Sequence, residues 1–370
     1  MARSIRRAVS GESGSPTHSI GAPRVSVVVP VYNRGASIRW TLDSIFAQSY
    51  PSFEVIVVDD GSSDDSSGFV ATHYPGVRLL RLEQNGGAPA AVNRGVAAAR
   101  GELIAFLDSD DLWSPDKLAL QIEDFDLHPE AVVSFTDITY GRSGIDTLYS
   151  WLYPIDPGRL LEQLMEENPA LPSAVMLRKS DFERVGGYCE DMRSAYDRDL
   201  LLRLAMLGPF RFLPHPLVRR VVRGDTLSRA SSQLEREFVL VVKRFLGRPE
   251  GIPWRAKARY LFAYQQFRIG ARWALAGNWR RGLASISRGI LRDPLVAFRH
   301  PPGRRLIRMM LGAALESVGA RLARLGGPRI GAAAQWRLHR LLARVGLGEP
   351  IRRYVPPPGV AFRPPPDAPE

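Results

Sequence analysis

The sequence predicts an α/β protein: a doubly wound, mainly parallel sheet followed by a basic α-helical region. Three observations carry that reading. From about residue 24 to 140, short apolar runs alternate with amphipathic stretches of helix length. The first runs end in polar loops, two of them rich in aspartate, Asp59-Asp60-Gly61 and Asp108-Ser109-Asp110-Asp111. Beyond residue 230 the strand-like runs stop and arginine-rich helical periodicity takes over. Alternation of strand and helix is the signature of βαβ units, whose crossovers bury both faces of a parallel sheet.

In order, strands are expected at 24–30, 54–59, 77–82, 102–107 and 132–137. Each is rich in Val, Ile, Leu or Phe and bounded by turn residues. Helices are expected at 36–48, 66–73, 88–99 and 115–128. From 141 to 228 the rhythm loosens. A short strand at 174–177, a Gly186-Gly187 turn, a helix from 197 to 207 and short strands at 209–213 and 217–222 complete the same domain. Residues 260–294 read as a helix pair broken at Gly277-Asn278. Apolar residues Ile307, Leu311, Leu315, Val318, Leu322 and Leu325 fall on one helical face, and Leu338, Leu341, Leu342 and Val345 repeat the spacing. The expected division is a disordered tail over 1–22, the α/β domain over 23–229, the basic helices over 230–350 and a Pro-rich disordered tail over 351–370.

Composition excludes several classes. The single Cys189 rules out a disulfide framework or a cysteine zinc site, and the six histidines show no i,i+4 pairing. No uncharged apolar run reaches bilayer-spanning length, and no apolar signal segment follows the N-terminal charges, so a cytoplasmic protein is expected. The net charge of +12 hides an asymmetry: residues 1–229 carry 24 Lys/Arg against 30 Asp/Glu, and residues 230–354 carry 25 against 6. The basic half has two readings. It attaches the protein peripherally to the anionic inner face of the plasma membrane, or its helices pack on one another and on the α/β domain. Nucleic acid is an unfavoured partner, because no aromatic residues interleave with the arginines to stack bases.

The chemistry is expected at the strand ends, where open α/β sheets bind ligands. Clustered carboxylates there need a cation or a hydrogen-bonding ligand to be tolerable neighbours. Asp108-Ser109-Asp110, directly after an apolar run, suits a divalent cation held with a pyrophosphate. Asp59 and Asp60 can accept from a base N–H or a ribose hydroxyl, or can serve the turn itself. Pro30 and Tyr32 close the first strand and can frame a flat base.

Together these blocks resemble the family 2 glycosyltransferases with the GT-A fold. The likeness spans roughly 24–229 and rests on Val25-Ser26-Val27-Val28-Val29-Pro30-Val31-Tyr32-Asn33-Arg34, Phe53 to Ser62, Asn85-Gly86-Gly87, Asn93-Arg94-Gly95 and Arg100-Gly101-Glu102 leading to Leu107-Asp108-Ser109-Asp110-Asp111. The resemblance implies an inverting transferase that moves a sugar from a nucleotide diphosphate sugar, a UDP-sugar being favoured, to a sugar or lipid-linked acceptor. Cell-surface polysaccharide or glycolipid synthesis is the implied setting. It assigns the nucleoside to Pro30, Tyr32 and one of Asp59 or Asp60, places Arg94 near the pyrophosphate, sets Asp108 against ribose or sugar, and makes Asp110 the ligand of Mn²⁺ or Mg²⁺.

Two departures stand out. In the segment matching the family's general base, Ala195-Tyr196-Asp197-Arg198-Asp199, Tyr196 replaces the usual Glu and Arg198 the usual Trp. Asp197 is the expected catalytic base, with Asp199 as fallback and Glu190 and Asp191 ranked below. Its bland alternative is a helix cap. Arg223 stands where many relatives carry a metal-assisting His. It cannot ligate a cation, but it could bind the diphosphate leaving group. The processive Gln-x-x-Arg-Trp signature is missing, so single additions are expected. The departures also motivate an alternative, a nucleotide-sugar-binding scaffold without turnover.

Overall fold

The computed structural model describes residues 22–142, 145–152, 154–221, 232–275 and 278–296. The N-terminal tail, Arg223, the stripes of 307–325 and 338–345, and the Pro-rich end lie outside the described residues. The strands are β1 (Val25–Val31), β2 (Phe53–Asp59), β3 (Arg78–Arg81), β4 (Leu103–Phe106), β5 (Asp111–Trp113), β6 (Val133–Arg142), β7 (Ile145–Leu148), β8 (Val175–Arg178) and β9 (Phe210–Val221). The helices are α1 (Ile38–Phe46), α2 (Ser66–His73), α3 (Ala88–Ala98), α4 (Lys117–Leu127), α5 (Tyr149–Leu152), α6 (Leu160–Glu166), α7 (Lys179–Arg184), α8 (Tyr196–Leu204), α9 (Ser232–Gly247), α10 (Ala258–Leu275) and α11 (Trp279–Arg292).

One sheet runs β3-β2-β1-β4-β8-β6-β9-β5, with β7 hairpinned onto β6. β1 to β4 are mutually parallel, and β6 and β9 pair in parallel. β8, β5 and β7 run against their neighbours. The chain winds outward from β1 to β3 and then returns to place β4 on the other side of β1. That reversal opens a crevice at the C-terminal ends of β1 and β4, where the Tyr32–Arg34 and Asp108–Asp111 turns lie.

The alternation along β1 divides the core. Val25, Val27, Val29 and Val31 face the layer built by α1 and α4, with Ile38, Leu42, Ile45 and Leu118. Val28 faces the other layer, with Ala91, Val92, Val96 and the apolar residues of α8, α9 and α10. Period-two side-chain direction buries both faces, so β1 and β2 read as nearly continuous Val/Ile runs. The described helices after 230 therefore do not stand apart. Phe238, Val241, Val242, Leu261 and Tyr264 share a core with Leu201 and Phe106. α10 and α11 are two helices, as the expected break at 277–278 requires. Among the described residues, no helix is long and apolar enough to cross a membrane.

Three expectations need correction. The short strands at 209–213 and 217–222 are one strand, β9, paired along β6. Its register slips between Thr136 and Ile138, opposite Pro214 and Pro216. A bulge absorbs residues that have no N–H for the ladder. The helix begun at 197 starts at Tyr196 and ends at Leu204, where Ala205, Met206 and Leu207 turn toward β9. The strand near 132–137 extends to Arg142, because β7 folds back on it.

Candidate active site

A cavity of about 770 Å³ opens at the strand ends, and it is lined by residues from both halves of the described chain. Its first wall is the Pro30–Arg34 turn. Asn33 takes a left-handed φ of 50°, a conformation Asn tolerates better than most residues. Asn33 Oδ1 accepts from Ser63 N at 2.9 Å, Ser62 Oγ accepts from Asn33 N at 3.0 Å, and Ser66 Oγ accepts from Arg34 N and Gly35 N, both at 2.9 Å. The serines after β2 thus fix the turn after β1. Tyr32 is half exposed at the cavity mouth.

Asp59 and Asp60 do different things. Asp59 is buried and does not line the cavity. Its carboxylate accepts from Ser62 N at 2.9 Å and from Ser67 Oγ, and it pairs with Arg81 at 3.8 Å. Asp60 does line the cavity. Its two oxygens accept from Gly86 N at 2.7 Å and Gly87 N at 2.8 Å. Burial pushes its carboxyl upward, while those two N–H groups pull it back. Gly87 has φ 88°, and a Cβ there would sit 2.1 Å from Arg193 Nη1. That guanidinium reaches in from beyond the Gly186-Gly187 turn and donates to Gly86 O at 2.6 Å.

The acidic turn after β4 forms the floor. Asp108, Ser109, Asp110 and Asp111 all line the cavity. Ser173 holds the turn from behind: its Oγ accepts from Asp108 N at 3.1 Å and donates to Asp111 Oδ2 at 2.6 Å. Arg34 crosses from the first wall, donating to Ser109 Oγ at 3.1 Å and to Asp110 Oδ2 at 3.2 Å. Burial, followed by the neighbouring Asp110 charge, pushes Asp108 up to about 6. Asp111 is likewise raised by burial and by both neighbours, and its buried Oδ1 accepts no hydrogen bond. Arg220, paired opposite Asp111 across β5 and β9, sets a positive potential that counters Asp108, Asp111 and Asp197.

Asp197 sits in the first turn of α8 and faces the same cavity. Asn168 Nδ2 donates to its Oδ2 at 2.7 Å, and Arg198 N donates to its Oδ1 at 2.7 Å. Burial raises its carboxyl to about 6, although both bonds and Arg220 pull downward. Asp199 points away from the cavity into an ion pair with Arg203 at 2.8 Å. The approach to α8 is fixed by Glu237 on α9. Its Oε2 accepts from Arg193 N at 3.1 Å, Ser194 N at 2.7 Å and Ala195 N at 3.1 Å, while Oε1 accepts from Arg193 N at 3.0 Å.

The structure therefore gathers Pro30, Tyr32, Asp60, Asp108, Asp110 and Asp197 around one cavity. It leaves Asp59 in the turn behind it and Arg94 exposed on α3, neither lining it. Arg223 lies outside the described residues. Arg34, Asn168, Arg193, Arg220 and Glu237 were missed by sequence reasoning. Arg220 gave a faint signal as one of two adjacent arginines within an otherwise apolar strand run. Glu237 gave none, because its partners are backbone groups some forty residues away.

A cation would meet hard oxygen donors here. Among the described residues, no three His, Cys, Asp or Glu side chains converge into a cage. Three crowded aspartates, one with an orphaned oxygen, nonetheless suit a small divalent ion that takes one or two carboxylates and completes its shell with phosphate oxygens and water.

This strand-end site on a GT-A fold defines a sugar-transferring enzyme. The family model for glycosyl transferase family 2 matches residues 26–186, and the chain belongs to that family. It is 30% identical over 224 residues to an uncharacterized glycosyltransferase of Rickettsia typhi, covering 58% of this chain and 69% of the relative. The chain spans from 22% to 70% of the length of the curated relatives it matches. Among solved structures, the mannosyltransferase PcManGT of Pyrobaculum calidifontis superposes with a TM-score of 0.52 at 21% identity, covering 91% of this chain and 90% of that one. TarS residues 1–349 from S. aureus give 0.52 at 18% identity, covering 87% and 92%. These two likenesses concern the fold.

Proposed function

We propose that this glycosyltransferase makes single additions with inversion, moving a sugar from a nucleotide diphosphate sugar to an acceptor hydroxyl. The observation that carries the reading is the placement of Asp197, a carboxylate held near 6, in the same cavity as the Asp108–Asp110 turn. A base poised just below neutral pH is ionised in the cell and still accepts a proton readily. Asp197 takes the acceptor O–H proton as that oxygen bonds to the anomeric carbon. The bond from the anomeric carbon to the phosphate oxygen breaks, and the nucleoside diphosphate leaves with the electron pair. Attack opposite the leaving group inverts the centre.

Tyr32 and the Asp60-held loop frame the nucleoside, Asp108 meets ribose or sugar, and Arg193 stands at the diphosphate end. Asp110 is the proposed ligand of Mn²⁺ or Mg²⁺, which when bound neutralises charge on the departing diphosphate. The PcManGT structure holds GDP-Man and Mn²⁺, and a TarS structure holds UDP-GlcNAc. Both support a nucleotide-sugar donor, and the first supports the metal.

The test is a thermal-shift screen of the purified chain against UDP, GDP, dTDP and CMP, with and without Mn²⁺, beside Asp110→Ala. A ligand that binds only the folded state at 100 times its Kd adds about 2.7 kcal/mol of stability. A Mn²⁺-dependent rise with one nucleotide, lost in Asp110→Ala, is the expected result. No rise with any nucleotide would overturn the donor reading.

A further inference from the structure

A second surface lies on the side of α10 away from the cavity. Ala263, Phe267 and Gly270 of α10 meet the glycines of α11, whereas Arg268 and Arg272 line the cavity. Helix α11 packs there through Gly282, Ser285, Ile286 and Gly289. A Cβ on Gly282 would sit 2.9 Å from Gly270 O, and one on Gly289 would sit 2.8 Å from Ala263 O. Ser285 Oγ donates to Gln266 O at 3.0 Å. Most of the large apolar residues point the other way. Trp279, Leu283, Ile290 and Leu291 of α11, and Leu295 just after it, are exposed, from 40% for Ile290 to 81% for Leu291. They are five of the eight exposed large hydrophobic side chains among the described residues, so the exposure is concentrated on this one helix.

A surface helix ordinarily buries its large apolar side chains and shows polar ones to water; α11 largely does the reverse. Close backbone contact with α10 explains the small inward residues, but it makes no demand on the outward ones. Single exposed apolar residues are normal, whereas a cluster marks a contact surface. At about 100° per residue, Trp279, Leu283 and Ile290 fall on one line along the helix. Leu291 lies further round, with Arg280 between it and Leu283. Arg281, Arg288 and Arg292 flank this stripe and are exposed. The Arg281 and Arg292 guanidiniums lie over rings of α10, 5.1 Å from Trp273 and 5.5 Å from Phe262. Between 278 and 296 the one carboxylate in the sequence is Asp293, and it is buried.

From this arrangement we infer that the outer face of α11 docks on an anionic lipid bilayer. The helix lies in the plane of the interface, its apolar stripe at the acyl boundary and its exposed arginines among the headgroup phosphates. Guanidinium forks pair with phosphate. Trp279 suits that depth, because an indole offers an apolar ring and an N–H that reaches water. A second copy of the chain fits this face badly. A two-fold contact would set the same arginines against one another, with no exposed carboxylate from 278 to 296 to answer them. No residue of α11 lines the cavity, so the docking face and the transfer site are separate surfaces.

The test is sedimentation of the full chain with two kinds of vesicle, phosphatidylcholine alone and phosphatidylcholine carrying about a third phosphatidylglycerol. The sequence beyond 296 is also basic, so the readout is the change made by substitutions on α11. The double variant Leu283→Gln, Leu291→Gln should bind the anionic vesicles about tenfold or more weakly than the unaltered chain. Arg280→Gln should weaken binding about fivefold, and that loss should shrink at high salt. If the double variant does not fold, Leu291→Gln alone carries the test, with a loss of about threefold. Unchanged binding in the leucine variants, no binding by the unaltered chain, or equal binding to the two kinds of vesicle overturns the inference. A dimer seen by light scattering that the leucine variants dissociate, with vesicle binding untouched, assigns the face to a second copy and overturns it too.

Discussion

Replacing Asp197 with Asn should remove transfer and, above pH 6, make the protein more stable. The carboxyl is raised from 3.8 to about 6, chiefly by burial. The folded protein therefore holds that proton more tightly than the unfolded chain does. Its favourable contribution is complete below about pH 4 and is lost as pH rises through 6. Each pH unit of difference is worth 1.36 kcal/mol, so the ionised group costs about 3 kcal/mol at pH 8 relative to pH 4. The Asn variant carries no such cost. Its amide can keep the bond from Arg198 N, while Asn168 must turn to offer an acceptor. That pH-independent loss of about 1 kcal/mol shifts the whole comparison without altering its slope. Asp108, raised partly by Asp197, will titrate lower in the variant, adding to the trend. Urea unfolding of both proteins at pH 4.5, 6 and 8 (the range about these pKa values) reads the difference directly. The stability gap should move in the variant's favour by about 2 kcal/mol across that range. A gap independent of pH, or one closing as pH rises, would show that Asp197 does not carry a burial-raised pKa. A variant that still transfers sugar at near wild-type rate would show that another group is the base.

Other consequences can be checked with the same protein. The transfer rate should fall about tenfold per pH unit below 6 as Asp197 takes up its proton, and a rate flat down to pH 5 would contradict that role. Glu237→Ala leaves the N–H groups of Arg193, Ser194 and Ala195 without their acceptor; unfolding stability should drop by about 2–4 kcal/mol, and by less in Glu237→Gln. Gly87→Ala forces an L-residue to φ 88° against Arg193; it should cost about 1–2 kcal/mol and weaken nucleotide binding, read by thermal shift.

The central βαβ region was legible because burial on both faces leaves long apolar runs, as in Val25–Val29 and Val55–Val58. The acidic turns were legible because each directly follows such a run. What the sequence hid was of two kinds. β5, only three residues long, takes its identity from pairing with β9 a hundred residues later. No local pattern encodes such a strand. The supporting polar groups were hidden for a similar reason. Asn168, Arg193 and Arg220 come from segments with no common motif, and only the folded chain brings them to the cavity. Arg94 shows the converse: a charge in a recognisable block stands exposed on the far side of a helix turn, away from the cavity.

The helices α9 and α10 have a consequence for how this enzyme could diversify. They bury apolar residues against the α/β core, and through Glu237 they hold the loop leading to Asp197. They cannot be exchanged as a detachable module without disturbing the start of α8. A change in how α9 seats would reach Asp197 through the backbone of Arg193, Ser194 and Ala195, so the helices and the sheet must vary together.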